Sequence, residues 1–110
     1  MNIDIEIVEH NSVIKVSVRG EIDVYTAPKL REILFPLAEK ENANIIVNLS
    51  DVIYMDSTGL GVFVGVFKSV RSNNGKFQLV GLSGRIKRLF EITGLAEIMD
   101  INSRMEGESL

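Results

Sequence analysis

Ser57 lies in the triplet Asp56-Ser57-Thr58, between two apolar runs. The run before it, Ile45-Ile46-Val47-Asn48-Leu49, reads as a buried strand. The run after it, Leu60 to Val70, reads as a helix. All three residues of the triplet are good N-cap types, so a helix is expected to start here with Ser57 at its mouth. Free backbone N–H groups and the positive end of the helix dipole meet at such a mouth, which favours a phosphate. A serine there is either an inert cap or a phosphoryl acceptor. Local physics leaves both open, because Asp-Ser-Thr before an apolar run is what any helix start looks like.

Other chemistries find little support. His10 is the single histidine. It falls in an expected exposed turn, in a different element from Ser57, and nothing suggests a catalytic triad. Its ordinary reading is a solvated turn residue. No His/Cys/Asp/Glu cluster has metal-ligand spacing. Gly59, Gly61 and Gly65 are not followed by the Gly-Lys-Ser/Thr of a phosphate-binding loop, and their spacing does not fit the dinucleotide fingerprint. No enzyme activity, metal or cofactor is therefore expected. Asp23, after the second expected strand, reads on its own as a turn or capping residue.

The helix after Ser57 has an unusual face. At 100° per residue, Leu60, Phe63, Val64, Phe67 and Val70 cluster on one side and should be core. Gly61, Val62, Gly65 and Ser69 cluster on the other, and Thr58 extends that surface toward the mouth. A solvent face would ordinarily carry Lys and Glu, yet this one is small and uncharged. Each glycine in a helix costs about 0.8–1.0 kcal/mol relative to alanine. The face either packs against another element of the domain or is a flat docking patch for a partner.

Composition narrows the class. The chain has 110 residues, 45% of them hydrophobic and 25% charged, which suits one packed domain rather than a disordered chain. A formal net charge of -3 argues against a nucleic-acid duplex or an anionic membrane as partner. There is no cysteine, which removes disulfides and thiolate metal sites and suits a reducing cytoplasm. The start, Met1-Asn2-Ile3-Asp4, has no basic region leading into an apolar stretch, so no signal peptide is expected. The longest apolar run falls far short of the ~20 residues of a membrane span.

The elements that must position Ser57 follow from periodicity. Ile3, Ile5, Ile7 and then Ile14, Val16, Val18 alternate with polar residues, giving two strands joined by a polar turn, Glu9-His10-Asn11-Ser12. Thr26 caps a helix with Pro28 in its first turn, and Pro36 should kink it or end it near Phe35. Residues 43–49 form a strand whose continuous apolar core suggests burial on both faces. A helix from about Thr58 to Ser72 ends at Asn73-Asn74-Gly75. Phe77 to Leu82 is the fourth strand. Ser83 caps a third helix with core residues Ile86, Leu89 and Phe90, ended by Gly94. Residues 98–101 form a short last strand. The order is β-β-α-β-α-β-α-β, an α/β domain with a mixed, mostly parallel sheet and an N-terminal hairpin. The domain should occupy residues 1–101, with 102–110 a polar tail.

Three motifs in this order carry a resemblance. They are Gly20-Glu21-Ile22-Asp23-Val24-Tyr25-Thr26-Ala27-Pro28, then Tyr54-Met55-Asp56-Ser57-Thr58-Gly59-Leu60-Gly61-Val62, then Lys87-Arg88-Leu89-Phe90-Glu91-Ile92-Thr93-Gly94-Leu95. Through them nearly the whole chain resembles the anti-sigma factor antagonists, bacterial members of the STAS domain family. The resemblance implies a regulator of stress-response transcription that has no activity of its own. Its unphosphorylated form binds an anti-sigma factor that is also a serine kinase, and so frees the sigma factor. That kinase phosphorylates the serine after the motif aspartate, here Ser57, and a PP2C-type phosphatase reverses it. The sporulation member of the family has a second serine where this chain has Thr58, so a second hydroxyl stands beside the acceptor. The partner-binding set expected on these grounds is Asp23, Asp56, Ser57 and Thr58 at the mouth, with Gly61, Val62, Gly65 and Ser69 on the surface beside them. Two alternatives are a nucleotide-binding module, which the missing P-loop lysine disfavours, and a subunit of a larger signalling or transport scaffold, which the single-domain length disfavours.

Overall fold

The structure is a computed structural model and describes residues 2–102. Strands β1 (Ile3–His10) and β2 (Val13–Ile22) form an antiparallel hairpin. Its turn is only Asn11 and Ser12, both at positive φ, 52° and 68°, as a two-residue hairpin of matching twist requires. His10 is therefore the exposed last residue of β1 rather than a turn residue. Helix α1 (Ala27–Ala38), strand β3 (Asn44–Met55), helix α2 (Ser57–Ser72), strand β4 (Lys76–Val80), helix α3 (Gly84–Ile92), a 3-10 turn (Leu95–Glu97) and strand β5 (Asp100–Asn102) follow. The β-β-α-β-α-β-α-β order is as read from the sequence.

The sheet runs β1-β2-β3-β4-β5. After the hairpin every neighbouring pair is parallel and is joined through a helix. Sequential order with right-handed crossovers brings the helices to one side, and burial agrees. Ile14, Val16 and Val18 of β2 are buried, while Lys15, Ser17 and Arg19 are exposed. Strand β3 obeys the same rule: Ile45, Val47 and Leu49 are buried and Asn44, Ile46 and Asn48 only half-buried. The expectation of burial on both faces is thus corrected. One core joins the inner side of the sheet to all three helices, through Leu30 and Leu34 of α1, Phe63 and Val66 of α2, and Ile86 and Phe90 of α3.

Two further expectations change. Of the kink or early end expected at Pro36, the early end is not found: helix α1 runs through Pro36 to Ala38. Pro36 lacks the N–H that would donate to the Glu32 carbonyl, and both residues are exposed, so that carbonyl can be hydrated instead. Strand β3 runs to Met55, well past Leu49, because polar Ser50 lies in a bulge and Asp51 pairs with Arg19 rather than forming a turn. Helix α3 begins as expected: the Ser83 hydroxyl oxygen accepts the Ile86 N–H at 3.2 Å. Of the expected polar tail, Asn102 closes β5, and 103–110 lie outside the described residues.

Candidate functional site

The site lies where β2 and β3 finish. Ser17 pairs with Asn48 and Arg19 with Asp51, so two steps on β2 match three on β3. A second slip follows between Gly20↔Val52 and Glu21↔Tyr54. Such bulges bend a strand and re-aim its end. They bring Met55 opposite Ile22, and the Asp56 N–H donates to the Ile22 carbonyl at 3.3 Å.

Asp56 is the N-cap of α2 and Ser57 its first residue. Asp56 Oδ1 accepts the N–H groups of Thr58, 2.9 Å, and Gly59, 3.4 Å. The Leu60 N–H donates to the Asp56 carbonyl, 3.1 Å, as the first helical bond. Two of the mouth's amides, those of Thr58 and Gly59, are thus held by a carboxylate, which narrows the expectation of free amides waiting for a phosphate. Ser57 is exposed, Asp56 and Thr58 are half-buried, and Gly59 is buried. A Cβ on Gly59 would lie 2.5 Å from Ile22 Cγ2 and 2.9 Å from Met55 Cγ. Only glycine lets the first turn of α2 press onto that pair. Two helix steps separate Ser57 from Gly59, about 200° around the axis, so this contact turns the serine to solvent. The sequence reading did not assign Gly59 this role; a glycine in the first turn of a helix, against its propensity, was the available signal.

Asp23 is only 5% exposed. Its Oδ1 accepts the N–H groups of Tyr25, 2.9 Å, and Thr26, 3.0 Å. The Thr26 hydroxyl accepts the Asp23 N–H, 2.9 Å, and donates to the Glu21 carbonyl, 2.8 Å. Asp23 Oδ2 is buried without a hydrogen-bond partner among the described residues. These bonds fold the β2–α1 loop back on the end of β2. One carboxylate oxygen is spent inside that loop, so the structure places Asp23 within the β2–α1 turn and largely buried, not on the surface beside Ser57. The Thr26 hydroxyl makes no cap bond to α1; its backbone carbonyl accepts the Lys29 and Leu30 N–H groups, 3.1 and 3.3 Å.

The helix face is also corrected. Gly61 is exposed, and nothing lies within 4 Å of a Cβ built on it. Val62, in contrast, is 1% exposed and belongs to the core. Gly65 is half-buried, and a Cβ there would lie 2.8 Å from Phe35 Cζ of α1. Ser69 is half-buried near the far end of α2, twelve residues from Ser57, or roughly 18 Å of helix rise. Gly65 thus lets Phe35 of α1 approach α2. Of the expected surface stripe, Gly61 alone is both exposed and one turn from Ser57.

The domain of five strands in sequential order thus carries an exposed serine hydroxyl at the head of a helix. Residues 4–107 match the family described as STAS domain. The chain belongs to the STAS domain family. Among STAS proteins it is 53% identical over 107 residues to the anti-sigma-B factor antagonist of Bacillus subtilis, covering 97% of each chain. It is 47% identical over 108 residues to the anti-sigma-B factor antagonist of Staphylococcus aureus, covering 98% of this chain and all of the other. Its fold matches the crystal structure of an anti-sigma factor antagonist from Mycobacterium paratuberculosis with a TM-score of 0.84 and 27% identity, over 96% of this chain and 89% of that one.

Proposed function

We propose that this STAS protein is an anti-sigma factor antagonist controlled by phosphorylation at Ser57. Unphosphorylated, it binds an anti-sigma factor that is also a serine kinase and thereby frees the sigma factor for stress-response transcription. Phosphorylated, it lets go, and a PP2C-type serine phosphatase resets it. It acts in the cytoplasm as a regulatory binding protein rather than an enzyme, with no nucleic acid or membrane as partner. No helix among the described residues is long and apolar enough to cross a membrane. The observation that carries the reading is the exposed Ser57 at the first position of α2, in a chain similar to antagonists over nearly its full length.

The geometry supports an electrostatic switch. A phosphoserine brings about -1.5 to -2 charges at neutral pH. Here they arrive beside the Asp56 carboxylate, whose oxygen already holds the Thr58 and Gly59 amides. Repulsion between exposed charges 4 Å apart is only about 1 kcal/mol per unit pair in water, small beside the ~5–15 kcal/mol of a folded domain. The domain therefore stays folded. Desolvating that charge against a partner is far more costly, and a loss of ~1,000-fold in affinity needs only about 4 kcal/mol. The nucleotide-binding alternative is weakened by the same geometry, because two of the amides a bound phosphate would use, those of Thr58 and Gly59, are held by Asp56.

The test is incubation with the cognate anti-sigma kinase and ATP, followed by peptide mass spectrometry. Phosphate is expected on Ser57 and absent from Ser57→Ala, which should still bind the kinase. An alanine variant labelled as fully as wild type would move the acceptor to Thr58 and overturn this assignment.

A further inference from the structure

Resting on the function proposed above, we propose that Tyr25 and Ile53, with Val24 and Tyr54 beside them, are the apolar anchors that hold the anti-sigma factor. Ser57 at their border switches the contact rather than supplying its affinity. Eight large apolar side chains are exposed among the described residues, and these four are half of them. Tyr25 is 80% exposed and Ile53 72%. Scattered single residues of this kind need no explanation, but these gather at the end of the molecule that carries Ser57. Val24 and Tyr25 are in the β2–α1 loop; Ile53 and Tyr54 are in the last stretch of β3. The Glu21↔Tyr54 and Ile22↔Met55 pairs, with the Asp56 amide on the Ile22 carbonyl, set the end of β2, from which the loop leaves, beside the last stretch of β3.

The strand edge strengthens this. Strand β4 leaves β3 at Asn48↔Val80, so β3 runs on to Met55 without β4 beside it. Bare edges are usually protected by lysine, proline or charge. This one carries Ile53 and Tyr54. The Asp23–Thr26 hydrogen bonds hold the loop that presents Tyr25, so little ordering entropy is lost on binding.

The occupant follows from the reach of the kinase. A protein that phosphorylates Ser57 must cover this end of the domain. An interface of about 800 Å² per partner is a disc of roughly 16 Å radius. Ile53 is four residues from Ser57, at most about 14 Å of extended chain, and so falls inside it. Buried aromatic and aliphatic anchors dominate binding in such interfaces, and a phosphate at their border would be stripped of water on contact. The complementary surface on the anti-sigma factor is therefore apolar and pocketed.

The experiment titrates Tyr25→Ser and Ile53→Ser against the anti-sigma factor and follows Ser57 phosphorylation by the same protein. Circular dichroism checks the fold, and Tyr25→Ser, in a loop, decides the matter if Ile53→Ser unfolds. Each folded variant should bind at least tenfold more weakly, with KM for Ser57 phosphorylation rising in step and kcat unchanged. Ile92→Ser, 76% exposed at the end of α3, should change neither. Wild-type binding that Tyr25→Ser and Ile53→Ser leave intact overturns the anchors alone. A loss confined to Ile92→Ser does the same and moves the contact to α3. A wild-type protein that neither binds nor is phosphorylated overturns the proposed function and the anchors with it.

Discussion

Ser57, Asp56 and Asp23 each owe their role to where a carboxylate oxygen is spent. Asp56 spends one on two amides at the head of α2, so Asp56→Ala should destabilise the domain by about 0.5–2 kcal/mol. A urea titration reading an unchanged midpoint would mean the cap is idle. Asp23 spends one oxygen on the β2–α1 loop, inside the protein. Asp23→Ala leaves the buried Thr26 amide and the part-buried Tyr25 amide without this partner and should cost about 1–3 kcal/mol. Asp23→Asn keeps an acceptor and should cost less; equal losses for the two would contradict the hydrogen-bonding role. Asp56 and Ser57 were legible in the sequence because capping is decided within four residues. The burial of Asp23 was not, because it depends on Thr26 reaching back to the Glu21 carbonyl, a feature of the folded loop with no periodicity to announce it.

Helix α2 carries the clearest contrast between pattern and packing. Its length and start followed from the cap and the apolar run. Its orientation did not, because ranking residues by size presumes a single buried side. In the fold α2 meets the sheet on one side and α1 on another, so Val62 and Val66 are buried while Val64 and Phe67 are half-exposed. Gly65 faces the Phe35 ring and Gly61 faces open space. Two substitutions separate these positions. Gly65→Glu should lose about 1–3 kcal/mol through overpacking, and Phe35→Ala in the same chain should recover part of it, a coupling that a double-mutant cycle measures. Gly61→Glu should melt at nearly the wild-type temperature yet bind the anti-sigma factor at least tenfold more weakly, since it puts a long charged side chain one turn from Ser57. A Gly65→Glu protein as stable as wild type would mean that the α1–α2 contact does not need the small residue. Strand β3 shows the same limit: its bulges look like the end of a strand in sequence, because Ser50 and Asp51 interrupt the alternation, yet pairing with β2 continues to Met55.

At the scale of the whole molecule, alternating strands and helices after a hairpin sufficed to give the element order. What they did not give is the open side of the sheet, because a run of apolar residues in β3 looks alike whether one face or both are covered. The Ile22–Met55 pair, against which Gly59 packs, fixes the head of α2 while Ser57 stays in solvent. Charge added there should change association and leave folding alone. Ser57→Asp should keep the far-UV circular dichroism of wild type, because an acid is tolerated in the first turn of a helix. It should weaken binding only in part, because one charge is less than a phosphate carries; a melting temperature many degrees lower would point to a folding defect instead. The most direct measurement is a calorimetric titration of the anti-sigma factor with two preparations of this protein, one unmodified and one fully phosphorylated at Ser57. The expected result is tight binding by the unmodified form and an affinity at least ~100-fold weaker for the phosphorylated form, about 2.7 kcal/mol or more, with identical circular dichroism. Equal affinities for two equally folded forms would contradict the switch.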